Sequence, residues 1–483
     1  MSKEKVLSAG ESLSEAFTGS PGLCLLFTLY WVWSNVTFQS TFFFPSFMVI
    51  DGHSVASWAI PVLFAAGTLV VLALRCRFHQ QDEGRVLVTA GSILSFMGAV
   101  VLAARSLTNP ADVSNLTVLV IVLGGAMVGI GTSLCLIGIA HVIACQKVEQ
   151  IFAQSLVGAL FAAIPCMILW LLPRWAACMV ICATPLALGA LAGAESRRLS
   201  ETGRMMSSLN QTRMRFPVKL FVTAVLHGIG LGTLFGLSSA LPTGSGNLVE
   251  LGCAMTIASV LLAWLAFRWQ FDYNTLLYRI AFIAMALGAT LVIALPSVVE
   301  LASFVQLVGF CLLHLVMWGL NYFLIKDFGI PAAWLVGLTT AGWMCGELAG
   351  GVMAFGALGV MGVRDGSVAV EGLMVFMLMS AALLLLDSRN MRDGWGLARP
   401  IAARPAYSNY EAAFGHLASA YGLSEREAAV FALFARGRNR KVIAQMLVVS
   451  EETVKSHIAA IYRKTGVNSQ QQVIDLLDEE LAD

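Results

Sequence analysis

The chain has 483 residues, of which 58% are apolar and only 12% are charged, and its net charge is +1. This composition excludes an ordinary soluble protein, because that much apolar surface cannot be buried in a water-soluble core. The apolar character ends sharply at about Leu386, and the segment Asp387–Asp483 has the composition of a soluble domain. We therefore predict an all-α protein with a membrane domain at residues 1–386, a linker at 387–417 and a soluble domain at 418–483.

Repeated apolar segments in the first domain have roughly the length of 20 residues that a helix needs to cross a hydrocarbon core of about 30 Å. A polar stretch, Glu195–Lys219, divides these segments into six and six. We predict twelve transmembrane helices at Leu23–Ile50, Ser54–Leu74, Val86–Ala104, Leu116–Ala144, Ile151–Leu172, Trp175–Ala194, Leu220–Leu241, Leu248–Phe267, Ile280–Leu295, Leu301–Ile325, Ala332–Gly356 and Gly372–Leu386.

The basic residues between these segments indicate an orientation. If the N-terminus is cytoplasmic, the outer loops contain only Arg105, Arg174 and Arg364, and the other loop lysines and arginines lie inside. Lysine and arginine resist translocation, so this alternation supports the assignment. An even number of spans returns the C-terminal domain to the cytoplasm. The prediction is a multi-pass protein of a bacterial inner membrane with both termini cytoplasmic.

The ten cysteines indicate no particular chemistry, since most lie inside apolar segments and no Cys-x-x-Cys pair occurs. We interpret them as small buried hydrophobic residues. They therefore indicate no metal site. We also predict no cofactor and no enzymatic activity.

The division into six and six spans around a basic cytoplasmic loop resembles the major facilitator superfamily of transporters. That resemblance implies a twelve-helix bundle with a central cavity lined by spans one, four, seven and ten. The loop after the second span reads Arg75-Cys-Arg-Phe-His-Gln-Gln-Asp-Glu-Gly-Arg85, which keeps basic character but departs from the superfamily's loop motif. This departure argues against transport activity more than against the fold.

Polar residues are expensive inside a bilayer and tend to face a bundle interior or a cavity. Here they concentrate on the spans that the resemblance places around the cavity, and one carboxylate lies in the eleventh span. The predicted ligand cavity consists of Asn35, Gln39, His227, His314, Asn321 and Glu347. The alternative is that these residues only form hydrogen bonds between helices, each worth about 1 kcal/mol or less.

The C-terminal domain is predicted to contain four helices after a short helix around Asn409–Tyr421. Ser424 with Glu427, and Ser469 with Gln472, have the spacing of capping boxes that begin the first and fourth helices. The second helix is expected from about Asn439 to Leu447 and the third over Glu451–Lys464. A tight turn between the second and third helices is typical of a helix-turn-helix.

Charge within this domain is concentrated on one segment. Seven basic and two acidic residues lie between Arg436 and Lys464, whereas the domain from Pro405 onward is slightly acidic overall. Such a concentration indicates phosphate binding.

The motif Leu423-Ser-x-Arg-Glu…Gly437-x-Asn439-x-x-x-Ile443-Ala444…Ser450-x-x-Thr453-Val454-Lys455-x-His457…Ile461-Tyr462-x-Lys464-x-Gly466-Val467 resembles the LuxR/NarL-type DNA-binding domain. The resemblance implies that the third helix enters the major groove of double-stranded DNA. Lysine donates to guanine edges, and small side chains permit close approach. The implied DNA-binding residues are Asn439, Arg440, Lys441, Thr453, Lys455, Ser456, His457, Ala459 and Lys464, with Lys455, Ser456 and Ala459 facing bases.

Three positions depart from the family pattern, namely Val442, Thr465 and Gln470. The last removes an expected arginine contact with phosphate, so we predict modest affinity and use of a homodimer on DNA. The apolar stripe of Val473, Leu476 and Leu477 is either the dimer interface or part of the domain core.

The sequence as a whole predicts a membrane-bound one-component transcription regulator of the LuxR family that senses an unknown small molecule. The rival hypothesis is a secondary transporter with a regulatory or vestigial DNA-binding tail. A third is that the bundle is only an anchor.

Overall fold

The computed structural model describes fourteen ranges of the chain, and the statements below concern these residues. The ranges are 21–44, 48–50, 53–78, 84–107, 115–143, 148–201, 217–238, 240–241, 247–269, 271–328, 330–386, 414–435, 440–447 and 449–482. The chain divides into two compact units, a membrane unit within residues 8–401 and a tail unit within residues 402–483.

The membrane unit contains twelve helices, one near each predicted span. They are α1 (Pro21–Phe38), α2 (Ala59–Phe78), α3 (Gly84–Leu107), α4 (Asn115–Ile143), α5 (Val148–Leu171), α6 (Arg174–Glu201), α7 (Val218–Leu237), α8 (Leu248–Arg268), α9 (Thr275–Ala294), α10 (Val299–Phe328), α11 (Ala332–Met361) and α12 (Val363–Leu385). The first turns of α9, Thr275–Ala281, form a π-helix.

Among the described residues, ten helices are long and apolar enough to cross a membrane, so the predicted number of twelve spans is not confirmed. The two helices outside this set are α1, whose second half carries Ser34, Asn35 and Thr37, and α2, whose apolar part is only Ala59–Arg75. The ten helices make the chain a multi-pass membrane protein.

The predicted first span is too long. Helix α1 ends at Phe38, where the polar residues Gln39 and Ser40 follow, and the Ser40 hydroxyl donates to the Val36 carbonyl at 2.8 Å. Strands β1 (Met48–Ile50) and β2 (His53–Val55) then form a small antiparallel hairpin. The all-α prediction is otherwise confirmed, since this hairpin is the only sheet among the described residues.

Small residues allow close helix packing in two places, as expected for membrane helices. Helices α7 and α11 meet where a Cβ on Gly228 or Gly232 would collide with the backbone carbonyl of Trp343 or Glu347. Helices α3 and α4 meet through glycines spaced seven residues apart on each helix. These pair antiparallel as Gly84 with Gly138, Gly91 with Gly131 and Gly98 with Gly124.

The two six-helix halves of the membrane unit, α1–α6 and α7–α12, contact each other through defined pairs. Helix α2 packs against α11, and α5 packs against α8 and α10. The core at this junction contains large aromatic side chains, including the fully buried Trp31 and Phe152. Spans from opposite halves are therefore brought together at the centre of the bundle.

The tail unit contains a short helix α13 (414–420) and four longer helices. These are α14 (Glu425–Phe434), α15 (Arg440–Leu447), α16 (Glu451–Thr465) and α17 (Gln470–Ala482), and they confirm the four predicted helices. Phe414 and Leu417 of α13 pack in the same core as Phe431 and Ile458. The tail unit therefore has a hydrophobic core of its own.

Candidate DNA interface and membrane site

Local sequence fixes both ends of the helices in the tail. The Ser424 hydroxyl accepts from the Glu427 backbone N–H at 3.3 Å, and the Glu427 carboxylate accepts from the Ser424 backbone N–H at 2.7 Å. This is the predicted capping box. Helix α16 begins at Ser450, whose hydroxyl accepts from the Thr453 N–H at 3.0 Å, and it ends at Gly466 with φ of 77°. Glycine adopts this left-handed conformation without a Cβ penalty.

Helix α16 is amphipathic, and its two faces have separate roles. Val454, Ile458 and Ile461 are buried in the tail core. On the other face, the side chains of Lys455, Ser456 and Ala459 are exposed. A cation and two small side chains therefore form an exposed surface on a helix that its buried face holds in place, which suits entry into a major groove.

The other residues predicted to contact DNA differ in how exposed their side chains are. Arg440 at the start of α15 is exposed, and Thr453 and His457 are half-buried. Asn439 and the Lys441 side chain lie outside the described residues, as does the side chain of Val442. The predicted contacts of these residues with DNA stay predictions.

Lys464 is engaged within the tail itself. Its ammonium donates to Glu427 Oε2 at 2.7 Å and to the Gly422 carbonyl at 2.8 Å. The hydrogen bond from Lys464, together with that from the Ser424 backbone, lowers the pKa of Glu427 to about 2. A phosphate contact by Lys464 would have to compete with this ion pair.

The departures at Thr465 and Gln470 have structural roles. Gln470 donates from Nε2 to the Phe434 carbonyl at 2.9 Å, so it satisfies a carbonyl at the C-terminal end of α14. Thr465 is buried, and its hydroxyl donates to the Ile461 carbonyl at 2.7 Å. Both side chains therefore stabilise the fold at positions where the family pattern has other residues.

The predicted dimer interface needs correction. Val473 and Leu477 are 0% and 1% exposed within the single chain and belong to the tail core. They cannot contact a second copy without leaving that core, so the core alternative is right for both. Leu476 is half-buried and keeps part of its surface accessible.

The structure brings together part of the predicted ligand cavity. The rings of His227 and His314 lie 5.2 Å apart, and His227 Nε2 donates to the Phe310 carbonyl at 3.2 Å, linking α7 to α10. Trp31 and Trp343 lie 5.2 and 5.0 Å from the His314 ring. These side chains come from four helices of both halves.

The remaining predicted cavity residues are also buried but have other neighbours. Asn35 contacts the Cys166 sulfur from Nδ2 at 4.0 Å, and Asn321 accepts from Thr339 Oγ1 at 3.4 Å. Gln39 and Glu347 are 2% and 0% exposed, and their side-chain polar atoms have no hydrogen-bond partner among the described residues. Of the six predicted cavity residues, His227 and His314 are in direct ring contact, and a cavity lined by all six stays a prediction.

The predicted cavity set did not include the continuous aromatic group around the histidines. Phe310, His314, Trp318 and Tyr322 are spaced four residues apart and lie along one face of α10, and this spacing was the available signal. Ring contacts of 4.4–6.1 Å join the members of the group. The central aromatic cluster, as we name it, consists of Tyr30, Trp31, His227, Phe310, His314, Trp318, Tyr322 and Trp343.

A small cavity adjoins this cluster. Tyr30 and Trp343 form part of its wall, and Ser34, Thr132 and Thr340 are also among its lining residues. Its open space accommodates about one water molecule.

Comparison with solved structures identifies the fold of the membrane unit. The xylose transporter XylE from E. coli, in a partially occluded inward-open conformation, superposes with a TM-score of 0.54 at 13% identity, over 77% of this chain and 97% of that one. A bacterial homologue of the iron transporter ferroportin, in an outward-facing state, superposes with a TM-score of 0.52 at 14% identity, over 77% and 98%. The membrane unit therefore has the fold of the major facilitator superfamily.

Comparison with known sequences identifies the family of the tail. The profile of the bacterial regulatory proteins of the luxR family matches residues 422–477. The spore germination protein GerE of Bacillus subtilis is 41% identical over 56 residues, which are 11% of this chain and 76% of that protein. The match spans α14, α15, α16 and the first half of α17, including the exposed surface of Lys455, Ser456 and Ala459. The chain belongs to the luxR family of bacterial regulatory proteins, whose DNA-binding helix-turn-helix it carries at its C-terminus.

Proposed function

We propose that this protein is a membrane-bound one-component transcription regulator, whose tail binds a specific double-stranded DNA sequence and whose membrane unit senses a small molecule. The observation that carries the proposal is the exposed surface of Lys455, Ser456 and Ala459 on a helix whose other face is buried in the tail core. The same chain carries a helical bundle of the transporter fold. One polypeptide thereby joins a proposed DNA-binding domain to a membrane unit whose fold suits the binding of small molecules.

The tail must reach the bacterial chromosome, so the proposal requires it to be cytoplasmic. An inner-membrane location with both termini inside is supported by the basic residues of the loops, only three of which fall on the outer side. We propose that the tail binds DNA as a homodimer. Leu476, which is only half-buried, is the remaining member of the predicted stripe that is able to contact a second copy.

The proposed signal is a change in the packing of the two halves. His227 and Trp343 belong to one half and Trp31 to the other, and the rings meet at His314. A ligand bound among them would favour a different arrangement of the halves only if it bound that arrangement more tightly. The ligand would then alter the dimerisation or presentation of the tail.

The experiment measures DNA occupancy by the full-length protein in the native cell. Immunoprecipitation of DNA from cells expressing the wild type, Lys455→Ala and a chain lacking residues 1–386 would define the bound promoters and their dependence on the membrane unit. We expect Lys455→Ala to lose the promoter peaks. We expect the truncated chain to bind without responding to changes in medium. Unchanged promoter peaks for Lys455→Ala would contradict the assignment of Lys455 to DNA binding. If the truncated chain still responded to the medium as the wild type does, the membrane bundle would be only an anchor.

A second candidate function, secondary transport with a regulatory tail, is favoured by one observation. Glu347 lies in the middle of α11 with both carboxyl oxygens buried and without a hydrogen-bond partner among the described residues. An ionisable residue in that position is a candidate for proton coupling. Substrate-driven proton uptake into proteoliposomes that is lost in Glu347→Gln would favour transport, and absence of flux would favour the sensor.

A further inference from the structure

Four hydrogen-bond donors in the central aromatic cluster have no partner among the described residues. They are the indole N–H groups of Trp31, Trp318 and Trp343 and the phenol O–H of Tyr322. None of the four side chains is more than 7% exposed. Buried tryptophan and tyrosine donors are normally hydrogen-bonded, because desolvation of an unpaired donor is costly. The cluster therefore presents four donors that no acceptor among the described residues satisfies.

The ring geometry of the cluster suits a flat aromatic molecule. Trp31 and Trp343 both meet the His314 ring edge to face, at interplanar angles of 70° and 68°. His227 stacks on Trp343 with an interplanar angle of 23°. A planar ring entering between these side chains would replace ring contacts with equivalent ring contacts, whereas a saturated ring would not.

The charges near the cluster disfavour an anionic ligand. Helices α1 and α11 contain no lysine or arginine, and α7 and α10 contain only Lys219 and Lys326, each close to a helix end. Glu347 lies one turn after Trp343 on α11, and helical side chains lean towards the preceding turn. A ligand carboxylate would thus gain no contact with lysine or arginine near the cluster.

The size of the adjoining cavity sets the mode of binding. Because the described cavity holds about one water molecule, a ligand that binds among these rings must separate them. Trp31 of one half meets the Trp318 and His314 rings of the other half, so this boundary lies between the two halves. Opening this boundary would move α1 relative to α10.

We propose that the ligand of the membrane unit is a small aromatic compound with hydrogen-bond acceptor groups, uncharged or cationic, that inserts between α1 and the α10–α11 pair. This inference rests on the sensory function proposed above. It adds the chemical class of the ligand and the helices between which the ligand binds.

The test uses the full chain purified in lipid nanodiscs and four related probes, measured by calorimetry and by the shift in melting temperature. The probes are para-hydroxybenzyl alcohol, para-hydroxybenzylamine, para-hydroxybenzoate and cyclohexanemethanol. We expect saturable binding of the first two and at least tenfold weaker binding of the anion and of the saturated alcohol. The inference would be overturned if the anion or the saturated alcohol bound as tightly as the first two probes. It would also be overturned if neither of the first two probes bound saturably at millimolar concentration.

Two matched substitutions locate the binding site. Trp343→Phe keeps an aromatic ring and removes the indole N–H, and we expect it to weaken phenol binding roughly 3- to 10-fold, as for the loss of one hydrogen bond. Trp264→Phe makes the same change on α8, where the side chain is 52% exposed, and should have no effect. Equal affinities of the two variants would contradict the proposed site. If Trp343→Phe does not fold, Trp318→Phe takes its place.

The outcome for the ligand class is separable from that for the regulatory function, since these probes are measured without DNA. If the phenols bind but promoter occupancy in cells does not change, the sensory function is contradicted and the proposed binding site still stands. If promoter occupancy responds only to anionic or non-aromatic compounds, the proposed ligand class is contradicted and the proposed regulatory function still stands.

Discussion

The Lys464 ammonium lies 2.7 Å from the Glu427 carboxylate, so the last turn of α16 is joined to the capping box that begins α14. The Gly422 carbonyl accepts from the same ammonium at 2.8 Å. A basic residue expected to contact phosphate therefore also fixes the helix that presents Lys455 against the rest of the tail. The position of α16 and the availability of the Lys464 charge for a phosphate contact therefore depend on the same ion pair.

The first prediction concerns the pH dependence of the isolated tail. The pKa of Glu427 is lowered from 4.5 to about 2 in the folded state, so its contribution to stability is complete above pH 4.5 and is lost as the pH falls towards 2. Glu427→Gln should lower the free energy of unfolding at pH 7 by about 1 kcal/mol, since it weakens a helix cap. It should also flatten the dependence between these pH values. Urea unfolding measures both effects.

The control for this prediction is Glu425→Gln, which removes an exposed carboxylate from the same helical turn. Loss of an exposed charge near a helix N-terminus costs only a few tenths of a kcal/mol. Equal acid sensitivity of Glu427→Gln and the wild type would show that the pair with Lys464 contributes nothing. The tail is suitable for this measurement because it has its own core.

The second prediction concerns the exposed face of α16. Lys455→Ala should weaken specific binding of the tail to its promoter by roughly 5- to 150-fold. Its melting temperature should stay nearly unchanged, because the pair of Lys455 with Glu452 is exposed and contributes little. A base contact of this kind is worth about 1–3 kcal/mol. Gel-shift titration at several salt concentrations measures it. Arg426→Ala, which removes the same charge from the exposed side of α14, should bind specifically.

The third prediction separates core from interface in α17. Leu477→Ala should destabilise the tail by about 2–5 kcal/mol, because it leaves a cavity at a side chain that is 1% exposed. Leu476→Ala should change stability far less and should weaken self-association on DNA. Analytical ultracentrifugation with and without promoter DNA tests the second effect. Unchanged association of Leu476→Ala would place the dimer interface elsewhere.

The fourth prediction concerns helix packing in the membrane unit. Gly232→Ala should strongly reduce the yield and melting temperature of the detergent-solubilised protein, since its Cβ would collide with the Glu347 carbonyl. Gly67→Ala on α2 meets nothing within 4 Å and should be neutral or slightly stabilising, because alanine favours the helix. Equal melting temperatures would contradict the close approach of α7 and α11.

Much of this protein follows from its sequence alone. Apolar runs of membrane-spanning length, the polar interruption at Glu195–Lys219 and the capping residues Ser424 and Ser450 are local signals, and each predicted helix was found near its expected position. The DNA-binding motif is also local, because its fixed spacings fall within about fifty residues. Local patterns suffice for these features because the backbone hydrogen bonds and caps of a helix join residues close in sequence.

Only the tertiary structure decided features that depend on residues distant in sequence. Leu476 and Leu477 are adjacent and chemically identical, yet packing buries the second and leaves the first half-exposed. Lys464 meets Glu427 across 37 residues, and Trp31 meets His314 across the two halves of the bundle. A sequence pattern specifies which face of a helix is apolar, but the partner that covers each residue depends on how the helices pack.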